Sequence, residues 1–572
     1  MLLLLAQLVA PPLQNSPIRL PGPDAGEQRP APRGEQQPVP VEIQEPIDGE
    51  PPAQTPDSPD QPGTEPPAVP GDFGSSAEPR VEGLTVYDAS DLSTILAGCG
   101  AGEASAQRLQ TCAAVLTARL VADGYLNSRV YVKATPAPGY LEVVEGRVVE
   151  LRVNSDDGRL SRKVSRLLAP LQGSVLHLPT VEQQLQLLKR LPGVANVRGN
   201  LSRLGSDPSQ AVFTVSFQPS DQPWQGEFSL RNDGSNGSGE ARAIGTIAKA
   251  NLATRGDTLL IYSELGTDNT PSLGAVITSV SYTVPLADQW NFTGAFGYSR
   301  RNLIELPSPT NGISTTQFQG LGQVEWVFKD TLSQRWSLFA GFSGDRSTTY
   351  LDGRALPDLV PESVRSPSNG YLRVGLAANG LSGSLGWAGN VYLLQGIAAA
   401  TPQQQRKELA QVDLYPGEAT ALGGLISAAW AFAPSWQLNL RAGGQVAFKP
   451  LTNSMQFTVG SDAGIRGLPG QFLSGDNGWL GTAEVAWTFW QKNNQSLQLV
   501  PFIGMGGVTT TLAGVTFSDT VGSGGILARW LAGNSWLVEL GWVEQFETND
   551  NLGEWTDWAL GKGLYAQVKY RF

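Results

Sequence analysis

The chain has 572 residues, only 16% of them charged, with a formal net charge of −12. That length holds several domains, and the acidic balance argues against nucleic acid as a partner. A single histidine, His177, leaves no material for a His-based triad or a multi-histidine metal site.

Residues 1–10 are apolar and end in a small residue, like the core of a secretory signal, but the basic flank of such a signal is missing. Residues 11–80 are rich in proline, more acidic than basic and poor in aromatics. Such a stretch cannot bury enough apolar surface to offset its ordering entropy. It reads as an extended, disordered linker, either a plain spacer or a segment that tethers or occupies a pore.

At 81 the character changes. Val81-Glu-Gly-Leu-Thr-Val reads as a strand, and Leu109, Ala113, Leu116 and Leu120 give Ser105–Asp123 a helical period. Gly124 stands where a glycine ends a helix. Arg129–Lys133 and Leu141–Val153 follow as strands, the second with a break at Glu145-Gly146. Residues 154–220 repeat the theme, with helices at 160–171 and 180–191 and strands at Val194-Ala-Asn-Val and Ala211–Phe217. His177 precedes the second of these helices and reads as a surface or boundary residue.

From 221 the texture changes again. All 15 tryptophans lie at or beyond Trp224. Segments of about ten residues alternate apolar and polar between short turns, the pattern of a transmembrane β-barrel. Trp436, Leu438, Leu440 and Ala442 share one face while Gln437, Asn439 and Arg441 share the other. Leu425–Phe432 turns into it through Ala433-Pro-Ser. Ser279–Val284 is expected to pair with Asn291–Tyr298 across Pro285–Gln289, and Gln323–Phe328 with Trp336–Phe342. The 66 glycines, low charge and lack of any internal run of 18 apolar residues fit a barrel rather than helical spans. A large soluble β protein is the alternative.

Two places carry more specific information. In the first, Gly464-Ile-Arg-Gly-Leu-Pro-Gly470 sets one arginine in a glycine-rich loop ahead of a strand. In that strand Ala483, Val485, Trp487 and Phe489 share the apolar face, which leaves Glu484 on the other. In the second, the chain ends on a strand with Leu564, Ala566, Val568, Tyr570 and Phe572 on one face. Tyr565, Gln567, Lys569 and Arg571 lie on the opposite face.

Together these features resemble the superfamily of POTRA-bearing outer-membrane barrels. Within it they are similar to the two-partner secretion transporters, the TpsB-type haemolysin or haemagglutinin secretion/activation proteins. Ile465-Arg466-Gly467-Leu468 stands where that superfamily carries Val-Arg-Gly-Tyr/Phe. Phe502-Ile-Gly-Met-Gly506 resembles Phe-x-Asp-x-Gly, with Gly504 in place of the usual aspartate. Glu145-Gly-Arg-Val148 and Leu191-Pro-Gly-Val194 resemble turning points of secretion-type POTRA domains.

The resemblance implies an all-β transmembrane barrel of about 16 antiparallel strands at 221–572. Two small α+β POTRA domains, at 81–153 and 154–220, would precede it in the periplasm. The loop at 464–478 would fold into the barrel as a plug. Arg466 would then need a carboxylate, because an unpaired buried charge is costly, and Glu484 is the candidate in the absence of an acid at 504. Gly464 and Gly467 would permit the tight loop, with Leu468 beside the arginine. Val568, Tyr570 and Phe572 would form the signal read by the barrel-assembly machinery. In an oxidising periplasm Cys99 and Cys112 would bond, two free buried thiols being the alternative.

The implied function is transport of a large, unfolded secreted exoprotein across the outer membrane without ATP, with no enzymatic activity and no cofactor. The partners would be that cargo, outer-membrane lipid and the assembly machinery. Cargo would pair with POTRA strands carrying Leu141 and Val143 or Val212 and Val215, unless these residues serve only core packing. A barrel-assembly factor of the same superfamily and a passive porin are the other readings.

Overall fold

The computed structural model describes residues 41–43, 79–100, 105–136, 139–189, 194–205, 207–219, 224–235, 237–254, 256–268, 272–287, 289–304, 312–547 and 557–572. The apolar start at 1–10, the proline-rich stretch apart from 41–43 and 79–80, and Leu191-Pro192-Gly193 lie outside them. The chain divides into two compact units, one spanning 37–221 and one whose described part is 224–572.

The first unit holds two sheets. In the first, β2 (Val81–Glu82) runs parallel to the central β4 (Tyr140–Val144), and β3 (Arg129–Lys133) pairs antiparallel with β4's other side. Helices α1 (Ala89–Ala97) and α2 (Ala106–Ala122) belong to the same core. Asp88 caps α1 by accepting from Ser90 N and Asp91 N, and Ser105 caps α2 through Arg108 N. These side chains satisfy donors that a helix leaves open at its start. Leu109, Cys112, Ala113, Leu116 and Leu120 form the buried stripe of α2, and Gly124 follows with φ +92°.

The second sheet has the order β1 (Val41–Ile43), β6 (Val194–Leu204), β7 (Asp207–Pro219), β5 (Arg147–Asn154). Helices α3 (Gly158–Leu168) and α4 (Leu178–Leu188) fall between β5 and β6 in the chain. A short 3-10 turn, Ala169–Leu171, extends α3.

Here the structure corrects the sequence reading. The stretch 141–153 is two strands in two different sheets, so the hand-over falls at Glu145-Gly146 rather than at 153–154. The Glu145 carboxylate turns back to accept from Val86 N, at 3.1 Å, and from the Thr85 hydroxyl. A Cβ at Gly146 would collide with the end of the Asn127 side chain, so a larger residue at the bend would require Asn127 to move. Helix α1 was not legible from its period, being nine residues long with a single fully buried side chain, Leu96.

Cys99, just after α1, is bonded to Cys112 on α2. With a sequence separation of 13, the loop-closure contribution is about 3 kcal/mol. Replacing both cysteines by alanine is expected to lower the urea midpoint of this unit, read by pulse proteolysis of the full-length protein. An unchanged midpoint would show that the helices alone hold it.

The second unit is a closed antiparallel barrel of 16 long strands. They are β8 (Gln225–Arg231), β9 (Ala241–Ala250), β10 (Thr258–Thr267), β11 (Leu273–Ala287), β12 (Trp290–Asn302), β13 (Ile313–Asp330) and β14 (Gln334–Leu351), then, past the two-residue β15 (Arg354–Ala355), β16 (Ser368–Ser382), β17 (Leu385–Gly396), β18 (Thr420–Ala433) and β19 (Trp436–Ala447). The wall ends with β22 (Asn477–Lys492), β23 (Gln495–Leu512), β24 (Val515–Ala532), β25 (Trp536–Glu547) and β26 (Leu564–Arg571), which closes on β8. Each expected strand pair is present, and β11 runs through Pro285–Ala287 before it turns, so the turn is shorter than the sequence suggested.

Strand alternation decides the two faces. Ile426, Leu440, Trp487, Phe489 and Ile503 are exposed on the outside. Gln317, Gln319, Gln445, Arg529 and Glu539 are buried within. Trp290 stacks on Trp326 and Trp436 on Trp487, each a register pair next to a short turn. These pairs form one aromatic girdle at the short-turn rim. The other rim carries the long connections, the longest running from 448 to 476 between β19 and β22.

Candidate functional site

The 448–476 connection folds into the lumen. It contains a small hairpin, β20 (Phe457–Val459) paired with β21 (Leu473–Gly475), with the arginine loop between the two strands. Ile465 and Leu468 are fully buried among Val459, Leu473, Leu480, Val508 and Val521. They flank Arg466 and press the loop against the inner wall. Gly467 has φ +80°, and a Cβ there would collide with Val543 Cγ1. Its freedom is therefore required twice, for conformation and for closeness. Gly464, with φ +108°, ends the 3-10 turn Ser461–Ala463.

The Arg466 side chain reaches three strands, and its carbonyl a fourth. Its Nε donates to Glu484 Oε1 on β22. Its Nη1 donates to Glu539 Oε2 on β25 at 2.8 Å and to the Tyr565 hydroxyl on β26 at 3.3 Å. Its carbonyl accepts from the Ser523 hydroxyl on β24. Gln545 Nε2 holds the Gly467 carbonyl at 3.0 Å. Arg529 on β24 completes the group, donating Nε to Glu539 Oε1 at 2.6 Å and lying 3.6 Å from Glu484. Two arginines and two carboxylates thus alternate around a largely water-free cluster. Each charge has an opposite neighbour, the condition under which burial of charge is tolerated.

The sequence reading placed Arg466 and Glu484 in this cluster, and the structure brings them together. It missed Glu539, Arg529 and Tyr565. Glu539 had a signal available, since it stands between the apolar residues Val538 and Leu540 and so falls on the lumen phase. Gly504 lies at the edge of the group. A Cβ there would stand 3.1 Å from Ile465 Cγ2, so the loop's own side chain fills the place an aspartate takes in the Phe-x-Asp-x-Gly motif.

At the C-terminus, Val568, Tyr570 and Phe572 point outward as expected, while Lys569 and Arg571 share Glu227 at 2.7 Å each on the inside. The Phe572 ring lies over Gly226, in space that any Cβ at 226 would occupy. Tyr570 packs on Trp536 across the last strand pair.

The expected cargo strands need correction. Leu141 and Val143 sit on β4, and Val212 and Val215 on β7. Both strands are central in their sheets and all four side chains are buried. A strand paired on both sides offers no backbone edge to another chain. Among the described residues β3, with Tyr131 and Val132 exposed, is an edge of its sheet, while β5, an edge of the second sheet, is bonded to 173–176 at its start. His177 occupies the N-cap position of α4, with Nδ1 2.7 Å from the Thr180 hydroxyl and its ring on Tyr125. Nearby, the Tyr87 hydroxyl and then the Arg119 guanidinium hold the Asp123 carboxyl below the usual carboxylate range.

Among the described residues, no group of three or more His, Cys, Asp or Glu is arranged to hold a metal ion. No helix among them is long and apolar enough to cross a membrane.

Comparison with known proteins places this architecture. The profile of the haemolysin secretion/activation proteins ShlB/FhaC/HecB matches residues 210–524. The outer membrane transporter CdiB of Dickeya dadantii (strain 3937) is 24% identical over 385 residues, 64% of this chain and 64% of that protein. The chain thus spans less than two thirds of the length of this curated relative. Among solved structures, CdiB from Escherichia coli matches with a TM-score of 0.58 at 16% identity, over 89% of this chain and 93% of that one. CdiB from Acinetobacter baumannii matches with a TM-score of 0.52 at 15% identity, over 91% and 94%. These two share the fold.

Proposed function

We propose that this chain, which belongs to the haemolysin secretion/activation family and resides in the outer membrane, passes a large secreted partner protein, unfolded, through its barrel without nucleotide energy. The observation that carries this reading is the loop at 448–476, held in a polar lumen by an ion cluster beside a small apolar seat, with no covalent tie. A plug held in this way can leave when something competes for its partners. The unit at 37–221 would act as two periplasmic POTRA domains that receive the client. Edge strands accept extended peptides through main-chain hydrogen bonds, and β3, together with β5 beyond its bonded start, would offer them. Phe572 and the outward residues Tyr570 and Val568 would serve as the signal for the chain's own insertion by the barrel-assembly machinery.

The test is reconstitution of the purified chain in liposomes with its unfolded partner on the N-terminal-unit side and no ATP. The expected result is a protease-protected partner on the far side, and a photo-crosslink to the partner from position 131 on β3. A requirement for ATP would overturn the reading. Accelerated insertion of other barrels with no partner transport would favour an assembly factor, and unrestricted passage of small sugars a porin.

A further inference from the structure

A second buried ion cluster sits inside the barrel, apart from the Arg466 group. Arg242 on β9 is only 2% exposed. Its Nε donates to Asp233 Oδ1 at 2.9 Å, and Glu264 Oε1 on β10 lies 3.6 Å from Nη1. Its other two contacts come from the plug loop. Nη1 donates to Asp462 Oδ1 at 2.6 Å and Nη2 to Ser461 Oγ at 3.0 Å. Asp233, just past the end of β8, is shared with Arg231. The backbone adds a further tie, from Gly470 N to Gly234 O at 2.7 Å.

These contacts fall on a different part of the wall from those of Arg466. Arg466 grips β22, β25 and β26. Asp462, Ser461 and Gly470 grip β9 and the connection that leaves β8. Between the two groups runs the seam where β26 meets β8. The register there runs from Gln567↔Arg231 to Arg571↔Glu227, with backbone bonds between Phe572 and Gly226 and from Asn232 to Ala566 at its ends. By contrast β23 and β24 pair from Gln495↔Ala532 to Leu512↔Val515. The loop tip therefore spans one of the short junctions of the wall, with a charged contact on each side.

We propose that Asp462 is a second positioning residue of the plug, latching it to Arg242, and that the two latches together clasp the β26–β8 seam. The roles are complementary. On one side the loop supplies the cation and the wall the acids. On the other the loop adds an acid to a wall cation that the wall acids Asp233 and Glu264 also hold. Removing Asp462 leaves a buried guanidinium with fewer acceptors, which favours a conformation in which Arg242 regains water. Plug withdrawal would then also remove the brace across the seam. This rests on the 448–476 loop acting as a plug, and the test separates the two ideas.

The experiment compares full-length wild type with Asp462→Asn, Ser461→Ala and Arg466→Ala in planar-bilayer conductance, and in the temperature at which the folded barrel is lost on unheated-versus-heated gels. Asp462→Asn is expected to raise the occupancy of the open state about tenfold or more with Arg466 intact. Ser461→Ala, which removes only one acceptor, should shift it in the same direction by less. Asp462→Asn should also lower the barrel-loss temperature. That drop should vanish when the seam is locked by a crosslink between Leu230→Cys and Val568→Cys, which are register partners, while the conductance change persists. A merely structural role would lower the temperature without opening the folded pore. If Arg466→Ala opens the pore and Asp462→Asn does nothing, the second latch is wrong and the plug stands. If neither changes conductance, the plug itself fails and this proposal falls with it.

Discussion

Arg466→Ala should convert small, fluctuating currents into large, steady ones in a planar bilayer. The size of the effect follows from the neighbours. Removing one partner from a buried ion pair costs about 3–5 kcal/mol when the remaining charge is left alone. Here the remaining charges are not alone, because Arg529 still faces Glu539 at 2.6 Å and Glu484 at 3.6 Å. The lower end of the range is therefore the appropriate one. About 3 kcal/mol taken from the closed state corresponds to roughly a hundredfold rise in the open-to-closed ratio. The loop would keep its apolar seat, with Ile465 and Leu468 fully buried, so some closures should remain. A variant lacking 464–478 should show none. Arg466→Lys should fall between, since an ammonium cannot address Glu484 and Glu539 with one planar fork. A wild-type pore that is already large and steady, and insensitive to these changes, would show that the loop does not gate it.

The barrel was legible from sequence because its cause is local. Each strand repeats a two-residue period between lipid and lumen, so Trp436, Leu438 and Leu440 against Gln437 and Asn439 suffice to assign a face. Arg466 and Glu484 were legible for a related reason, as a charge on the lumen phase of a strand and a charge in the adjoining loop. The pairing of Glu539 with Arg466 was not, because it joins residues 73 apart in sequence, and strand phase alone carries no such information. The Asp462–Arg242 contact, 220 residues apart, was hidden in the same way. The sheet edges were not legible for a different reason. Val212 and Leu141 have the strongest strand character in their segments because they are central. The true edges, such as Arg129–Lys133, carry mixed residues that exposure permits.

Glu539→Gln should damage closure more than Glu484→Gln, and Gly504→Asp should not repair either. Glu539 is 2% exposed and accepts from two guanidiniums, Arg466 at 2.8 Å and Arg529 at 2.6 Å. Neutralising it leaves two buried cations to share Glu484, which sits in a more accessible position with 15% of its side chain exposed. The expected cost is again about 3–5 kcal/mol, since a net positive charge stays in a dry site. Neutralising Glu484 instead leaves Glu539 between both arginines and Arg466 partly open to water, so a cost of about 1–2 kcal/mol is expected. Introducing the aspartate usual at position 504 meets a steric obstacle, with Ile465 Cγ2 3.1 Å and Thr482 Cγ2 3.2 Å from the new Cβ. To admit it, Ile465, which seats the loop, must give by a few tenths of an ångström. The measurements are open-state occupancy in bilayers and barrel-loss temperature for the three single variants and for Gly504→Asp combined with Glu539→Gln. Full recovery in that double variant, or a Glu484→Gln effect larger than that of Glu539→Gln, would mean that the lock still runs through β23 as the motif has it. The expected ranking instead assigns the work of the missing aspartate to an acid two strands further round the wall.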